Sequence, residues 1–190
     1  PHPRFKGKSK LSYRGDAMVQ LDWCAGEILK AIKEAGIDDN TLVIFSSDNG
    51  PVYDDGYKDG TTVRTSSKEV DRDHDGSGIY RGGKYQIYEG GTRVPTIVSW
   101  PGRIRADKQA TPVHITDWMP TFCRLAGYEP EKDLKWDGIN LASLLLNGTP
   151  LLGRSLYVAG PSWRAVALRH GDWKLVVTGK APKQKIELYN

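Results

Sequence analysis

Cysteine is scarce. The 190 residues hold two, Cys24 and Cys123. Two thiols are too few for a disulfide framework, and they do not fix a redox compartment. Each falls inside a helical pattern, where a small buried hydrophobe is the expected role. Whether they pair is open at this point. Long apolar runs are also lacking. No stretch reaches the roughly 20 residues that a membrane helix needs, and no signal-peptide pattern stands at the start. Basic runs interleaved with aromatics are missing, so the chain lacks the footprint of a nucleic-acid binder. The net charge of +4 is small. It suits a polyanionic substrate without arguing for one. The remainder is ordinary for a globular chain, with 38% hydrophobic and 26% charged residues and length enough for an ample core. Nothing in it indicates an oligomeric state.

The informative stretch runs from Thr41 to Arg93. Thr41 to Phe45 is apolar or β-branched and predicts a buried strand. Asp48-Asn49-Gly50 follows just past its C-terminal end, where open α/β sheets bind ligands. Asp48 and Asn49 put two hard oxygen donors side by side, a pairing suited to Ca²⁺ or Mg²⁺. By itself Asp-Asn-Gly is most often only a turn. Lys84 follows in Gly82-Gly83-Lys84, where glycines let a charged substrate approach the backbone closely. A dication and a fixed ammonium together make a site for a sulfate or phosphate anion.

Around this stretch the chain alternates helix and strand. Asp16 to Ala35 predicts a helix, apolar at Met18, Leu21, Ala25, Ile28, Leu29 and Ile32, with Asp16 in its first turn and Gly36 closing it. Pro51 to Gly78 is polar. It contains Asp71-Arg72-Asp73-His74-Asp75-Gly76, the opening of an EF-hand loop, but position twelve is Gly82, which cannot supply the bidentate carboxylate. Glu89 and Arg93 are placed to pair and hold the Lys84 loop. Val94 to Trp100 predicts a second strand. His114 to Gly127 predicts a capped helix with Met119, Phe122, Cys123, Leu125 and Ala126 on its buried side and His114 as a structural partner near the cap. A loop and short helix follow over Asp137 to Leu146. From Arg154 the period becomes two, over Ser155–Ala159, Arg164–Arg169, Trp173–Thr178 and Ile186–Tyr189, joined by hairpin turns.

Ser47-Asp48-Asn49-Gly50-Pro51, Arg81-Gly82-Gly83-Lys84-Tyr85, Tyr88-Glu89-Gly90-Gly91-Thr92-Arg93-Val94-Pro95 and Trp100-Pro101-Gly102 resemble, in order, the C-terminal half of a type I, arylsulfatase-like sulfatase. The resemblance covers nearly the whole chain. It implies an α/β fold, part of an alkaline-phosphatase-like mixed or parallel sheet with flanking helices over residues 1–150. It also implies a small antiparallel subdomain over 151–190. The implied function is calcium-dependent hydrolysis of a sulfate ester, with a carbohydrate sulfate as substrate and a periplasmic or secreted location.

By the same resemblance Asp48 and Asn49 are calcium ligands, and Lys84 binds a sulfate oxygen and bridges to the leaving oxygen. His74, ten residues before Lys84, stands where related sulfatases carry a histidine. Such a side chain can donate to sulfate or protonate a leaving alcohol. Three readings of Pro51 to Gly78 therefore stay open: a polar surface loop, a second calcium site, or a substrate-binding lid carrying His74. Pro1 to Phe5 matches a Pro-His-x-Arg-Phe segment better than the histidine segment that contacts sulfate, so His2 is not expected to bind the anion directly. The formylglycine motif Cys-x-Pro-x-Arg is absent, since Cys24 precedes Ala-Gly-Glu and Cys123 precedes Arg-Leu-Ala. Opening on Pro1 without Met, the chain reads as a fragment, with the nucleophile expected upstream and no activity expected from it alone. Two other functions remain compatible with these residues: phosphoryl transfer on the same scaffold, and non-catalytic binding of sulfated glycans or calcium.

Overall fold

Helix α1 (Ser12–Glu34) is the longest element of the computed structural model, which describes residues 1–52, 74–130, 132–160 and 164–190. It starts a turn earlier than its apolar period suggests, and its cap residue, Leu11, makes no side-chain capping bond. Asp16 is therefore inside the helix. Its buried carboxylate accepts the amide protons of Gly7 (2.7 Å) and Ser9 (2.8 Å), folding the preceding loop back over the first two turns. Gly36, at φ 66°, ends the helix as expected, with the Ile37 amide donating to the Ile32 carbonyl.

The expected apolar stripe is in place but is not a core. Ile28 is 59% exposed, and Met18, Leu21 and Leu29 are exposed with it. Periodicity sets which side chains share a face. Burial also requires something packed on that face, and in α1 the buried residues are Gly15 and Asp16, beside the 3₁₀ turn at Pro3–Phe5. His2 caps that turn by accepting the Arg4 amide proton on Nδ1.

The Ser9 amide, then the Gly7 amide, hold the Asp16 carboxyl below the usual carboxylate range. A lowered folded value stabilises the loop fully above the unfolded value. That stabilisation disappears as pH falls through the folded one. Acid titration followed by NMR should therefore shift the Gly7 and Ser9 amide resonances together, below the pH at which an exposed aspartate titrates. Asp16→Asn should abolish that shared transition. Independent titrations of the two amides would contradict the arrangement.

Strand β1 (Val43–Ser46) pairs with β2 (Thr96–Ser99) in a two-stranded sheet. The Ser46 hydroxyl bonds the Thr96 hydroxyl at 2.8 Å and the Pro95 carbonyl at 3.2 Å. Both strands are shorter than their apolar runs, because strand character lasts only as long as the pairing. A short helix, α2 (Glu89–Thr92), precedes β2.

The chain divides into two units, Pro1–Val98 and Ser99–Asn190. The second contains α3 (Trp118–Leu125), α4 (Ala142–Asn147) and an antiparallel sheet of β3 (Ser155–Ala159), β4 (Ala165–His170), β5 (Trp173–Thr178) and β6 (Lys185–Tyr189), in sequence order. These strands agree with the period-two reading to within a residue at each end. In α3 the buried side differs from the apolar one. Met119 and Phe122 are exposed, whereas Pro120 and Thr121 are buried.

The reason is a polar centre. Asp117 is fully buried and accepts the amide protons of His114 (2.6 Å) and Ile139 (3.0 Å) and both guanidinium nitrogens of Arg154 (2.6 and 2.5 Å). Thr121 extends it, donating its hydroxyl to the Asp117 carbonyl and accepting the Leu141 amide proton. His114 caps the turn that leads into α3, as its place near the cap suggested. Both cysteines are free and half-buried, and no helix among the described residues is long and apolar enough to cross a membrane.

Candidate active site

The segments that carry Asp48-Asn49 and Lys84 are joined through backbone, in the first unit. Past β1 the chain turns at Asp48-Asn49-Gly50, a turn fixed by the Ser47 hydroxyl donating to the Asn49 carbonyl at 2.9 Å. The Gly50 amide then donates to the Gly91 carbonyl (2.9 Å), and the Lys84 amide donates to the Pro51 carbonyl (2.9 Å). Gly90 donates to the Arg81 carbonyl at 2.8 Å. Three separate segments are thus joined by main-chain bonds.

Glycine is required at this joint for a steric reason. A Cβ on Gly50 would overlap the Gly90 carbonyl and lie 2.8 Å from the Gly91 Cα. A Cβ on Gly90 would meet the Gly82 and Arg81 carbonyls, and one on Gly91 would meet those of Gln86 and Gly83. The Arg93 guanidinium sits 3.8 Å from the Glu89 carboxylate across α2 and 4.7 Å from the Tyr80 ring centroid, so that expected pair is present. Arg14 of α1 donates to the Val52 carbonyl and ties the helix to the same loop.

Asp48 is exposed at the tip of β1, Asn49 is half-buried, and Lys84 is half-buried with its Nζ 5.4 Å from the Tyr85 ring centroid. His74 is exposed, next to the Asp75–Ser77 turn. The rest of the EF-hand-like run, including Asp71 and Asp73, lies outside the described residues.

The family model described as Sulfatase matches residues 2–128. The chain belongs to the sulfatase family. An N-acetylgalactosamine-6-O-sulfatase of Bacteroides thetaiotaomicron is 39% identical across all of this chain, which spans 37% of that relative's length. Human arylsulfatase A is 36% identical over 91% of the chain and 33% of its own length. Among solved structures, one from work on glycosaminoglycan metabolism by B. thetaiotaomicron has a TM-score of 0.86 at 36% identity. The chain is covered completely there and accounts for 40% of that structure. A Pseudoalteromonas sulfatase gives 0.75 at 31% identity, again with the whole chain covered and 37% of the other. This sulfatase chain therefore spans well under half the length of the relatives it matches, and its fold is alkaline-phosphatase-like.

A divalent metal goes with the family, and the donors at the β1 tip fit one. The Asn49 side-chain amide donates from Nδ2 to the Gly50 carbonyl at 2.9 Å, which turns Oδ1 the other way, and the neighbouring Asp48 carboxylate is exposed. A carboxylate and an amide oxygen are the hard donors such an ion takes, although they are two of the six or more it needs. Among the described residues no group of three or more His, Cys, Asp or Glu side chains forms a metal cluster.

Two features of the molecule were not visible as spacing. The Asp117–Arg154 centre joins residues 37 apart in the chain, and no local pattern links them. Tyr85 adopts a positive φ of 71°. The only hint was a bulky residue directly after a glycine-rich turn.

Proposed function

We propose that this chain forms part of the active site of a sulfuric ester hydrolase acting on a carbohydrate sulfate, with the nucleophile supplied by sequence outside these 190 residues. Lys84 holds a sulfate oxygen and offsets charge that builds on the leaving oxygen. Asp48 and Asn49 hold the dication, calcium in this reading, which supplies positive charge beside the anion when bound. His74 donates a proton to a sulfate oxygen or to the departing alcohol. The observation that carries the proposal is the Lys84 amide to Pro51 carbonyl bond, which fixes the ammonium-bearing turn to the oxygen-bearing one. The sulfatase relatives support the reaction class, and the N-acetylgalactosamine-6-O-sulfatase supports a sugar sulfate. The same relationship supports a periplasmic or secreted location.

The test uses the full-length enzyme that carries this chain, assayed for sulfate release from N-acetylgalactosamine 6-sulfate. Lys84→Ala should lower kcat/KM by about 10²–10³-fold, the scale seen when one preorganised charge partner is removed. A loss below about threefold would remove Lys84 from the site. Asp48→Ala should weaken Ca²⁺ binding in isothermal titration by more than about tenfold. Unchanged affinity would show that the ion is held elsewhere.

A further inference from the structure

Tyr85 holds a backbone conformation that its own side chain opposes. It is the third residue of the turn Gly83–Gln86, closed by the Gln86 amide donating to the Gly83 carbonyl at 3.1 Å. Of the two central residues, only Tyr85 lies at positive φ, 71°. This is the type II pattern, and its third position takes glycine or asparagine. A bulky residue there is a genuine outlier. The chain uses glycine freely nearby, at positions 82, 83, 90 and 91, yet not here.

Among the described residues the ring finds little packing, being 74% exposed. Its contact with the Lys84 ammonium, at 5.4 Å from the centroid, lies at the outer edge of cation–π range. Nor can the turn relax. The Lys84 amide is bonded to Pro51 on one side, and the Gln86 carbonyl packs against the Gly91 Cα region on the other. Strain that the interior does not offset is characteristic of ligand clamps.

We propose that Tyr85 is a substrate-binding residue whose ring stacks on the ring that bears the sulfate, while Lys84 beside it holds the sulfate itself. The inference rests on the Lys84 reading given above. A ring offers a flat face of C–H or π surface to the tyrosine face. An acyclic alkyl sulfate offers none, so Tyr85 selects for sulfate esters carried on rings.

The experiment compares Tyr85→Gly, Tyr85→Phe and Lys84→Ala in the full-length enzyme. The substrates are N-acetylgalactosamine 6-sulfate, 4-nitrophenyl sulfate and a short acyclic alkyl sulfate. Tyr85→Gly should raise KM for the ring substrates about tenfold with kcat within about twofold, the pattern of lost uniform binding. It should leave KM for the alkyl sulfate unchanged. Its Tm should hold or rise, since glycine fits the positive φ. Tyr85→Phe should behave as the parent. A KM rise confined to the saccharide supports the proposal with a sugar as the stacked ring, and one confined to the aryl sulfate supports it with an aryl ring. Unchanged KM for both ring substrates, or an equal rise for the alkyl sulfate, would overturn it while leaving Lys84 in place. Full activity in Lys84→Ala would instead remove the underlying site, and the proposal with it.

Discussion

Asp117→Ala is expected to remove a large share of the stability of the Ser99–Asn190 unit. The carboxylate has no exposed surface, and the Arg154 side chain that it binds through both guanidinium nitrogens is 10% exposed. Deleting the acid leaves a buried guanidinium without its counter-charge and leaves the His114 and Ile139 amides without their acceptor. Breaking one side of such a pair costs roughly 3–5 kcal/mol, against a total of about 5–15 kcal/mol for a domain. Urea unfolding should show this as a large fall in the midpoint at unchanged slope. Arg154→Met should also destabilise strongly, and Arg154→Lys should not rescue it, because an ammonium cannot match the forked geometry. The double variant should lose clearly less than the two single losses added together, since the second change removes an orphan that the first created. A loss below about 1 kcal/mol for Asp117→Ala would mean that the centre is solvated and contributes as an ordinary surface pair does.

The second large effect lies in the first unit. Gly50→Ala and Gly91→Ala should each destabilise by about 3 kcal/mol, the upper end of overpacking costs. The atoms a new methyl would strike are carbonyl groups of the main chain, not the movable ends of side chains. In the full-length enzyme the same changes should cost about 10²-fold in kcat, because a displacement of 1 Å in a positioning element is enough for that. Gly26→Ala is the control. Gly26 lies within α1, a Cβ there meets nothing within 4 Å, and the change should stabilise by about 0.5–1 kcal/mol. The sign of the effect should therefore reverse between two glycines of the same unit. If Gly50→Ala were neutral, the three segments would not be joined as described.

These two cases also show what could be read beforehand. The C-terminal sheet was legible because its strands pair with their neighbours in sequence, and period-two alternation survives short-range pairing. The closing turn of α1 at Gly36 was legible for the same local reason. The start of α1 was not, because Ser12 enters the helix at φ 57° without a side-chain cap and no capping signature marks it. The Asp48, Asn49 and Lys84 positions were visible as motif residues. The joint that connects them was not, because it is built from glycine main chain across separations such as Gly50 to Gly91, where composition carries no pairing information. The apolar faces of α1 and α3 misled for a related reason. Pattern reports which side chains share a face, and only the packed molecule reports whether that face is covered.

Because Gly50, Gly82, Gly90 and Gly91 meet at the joint through main-chain atoms, the joint does not depend on an exposed side chain such as that of Tyr85. Under the reading proposed above, a change at Tyr85 would alter which ring is accepted while the joint, and Lys84 upon it, stays in place.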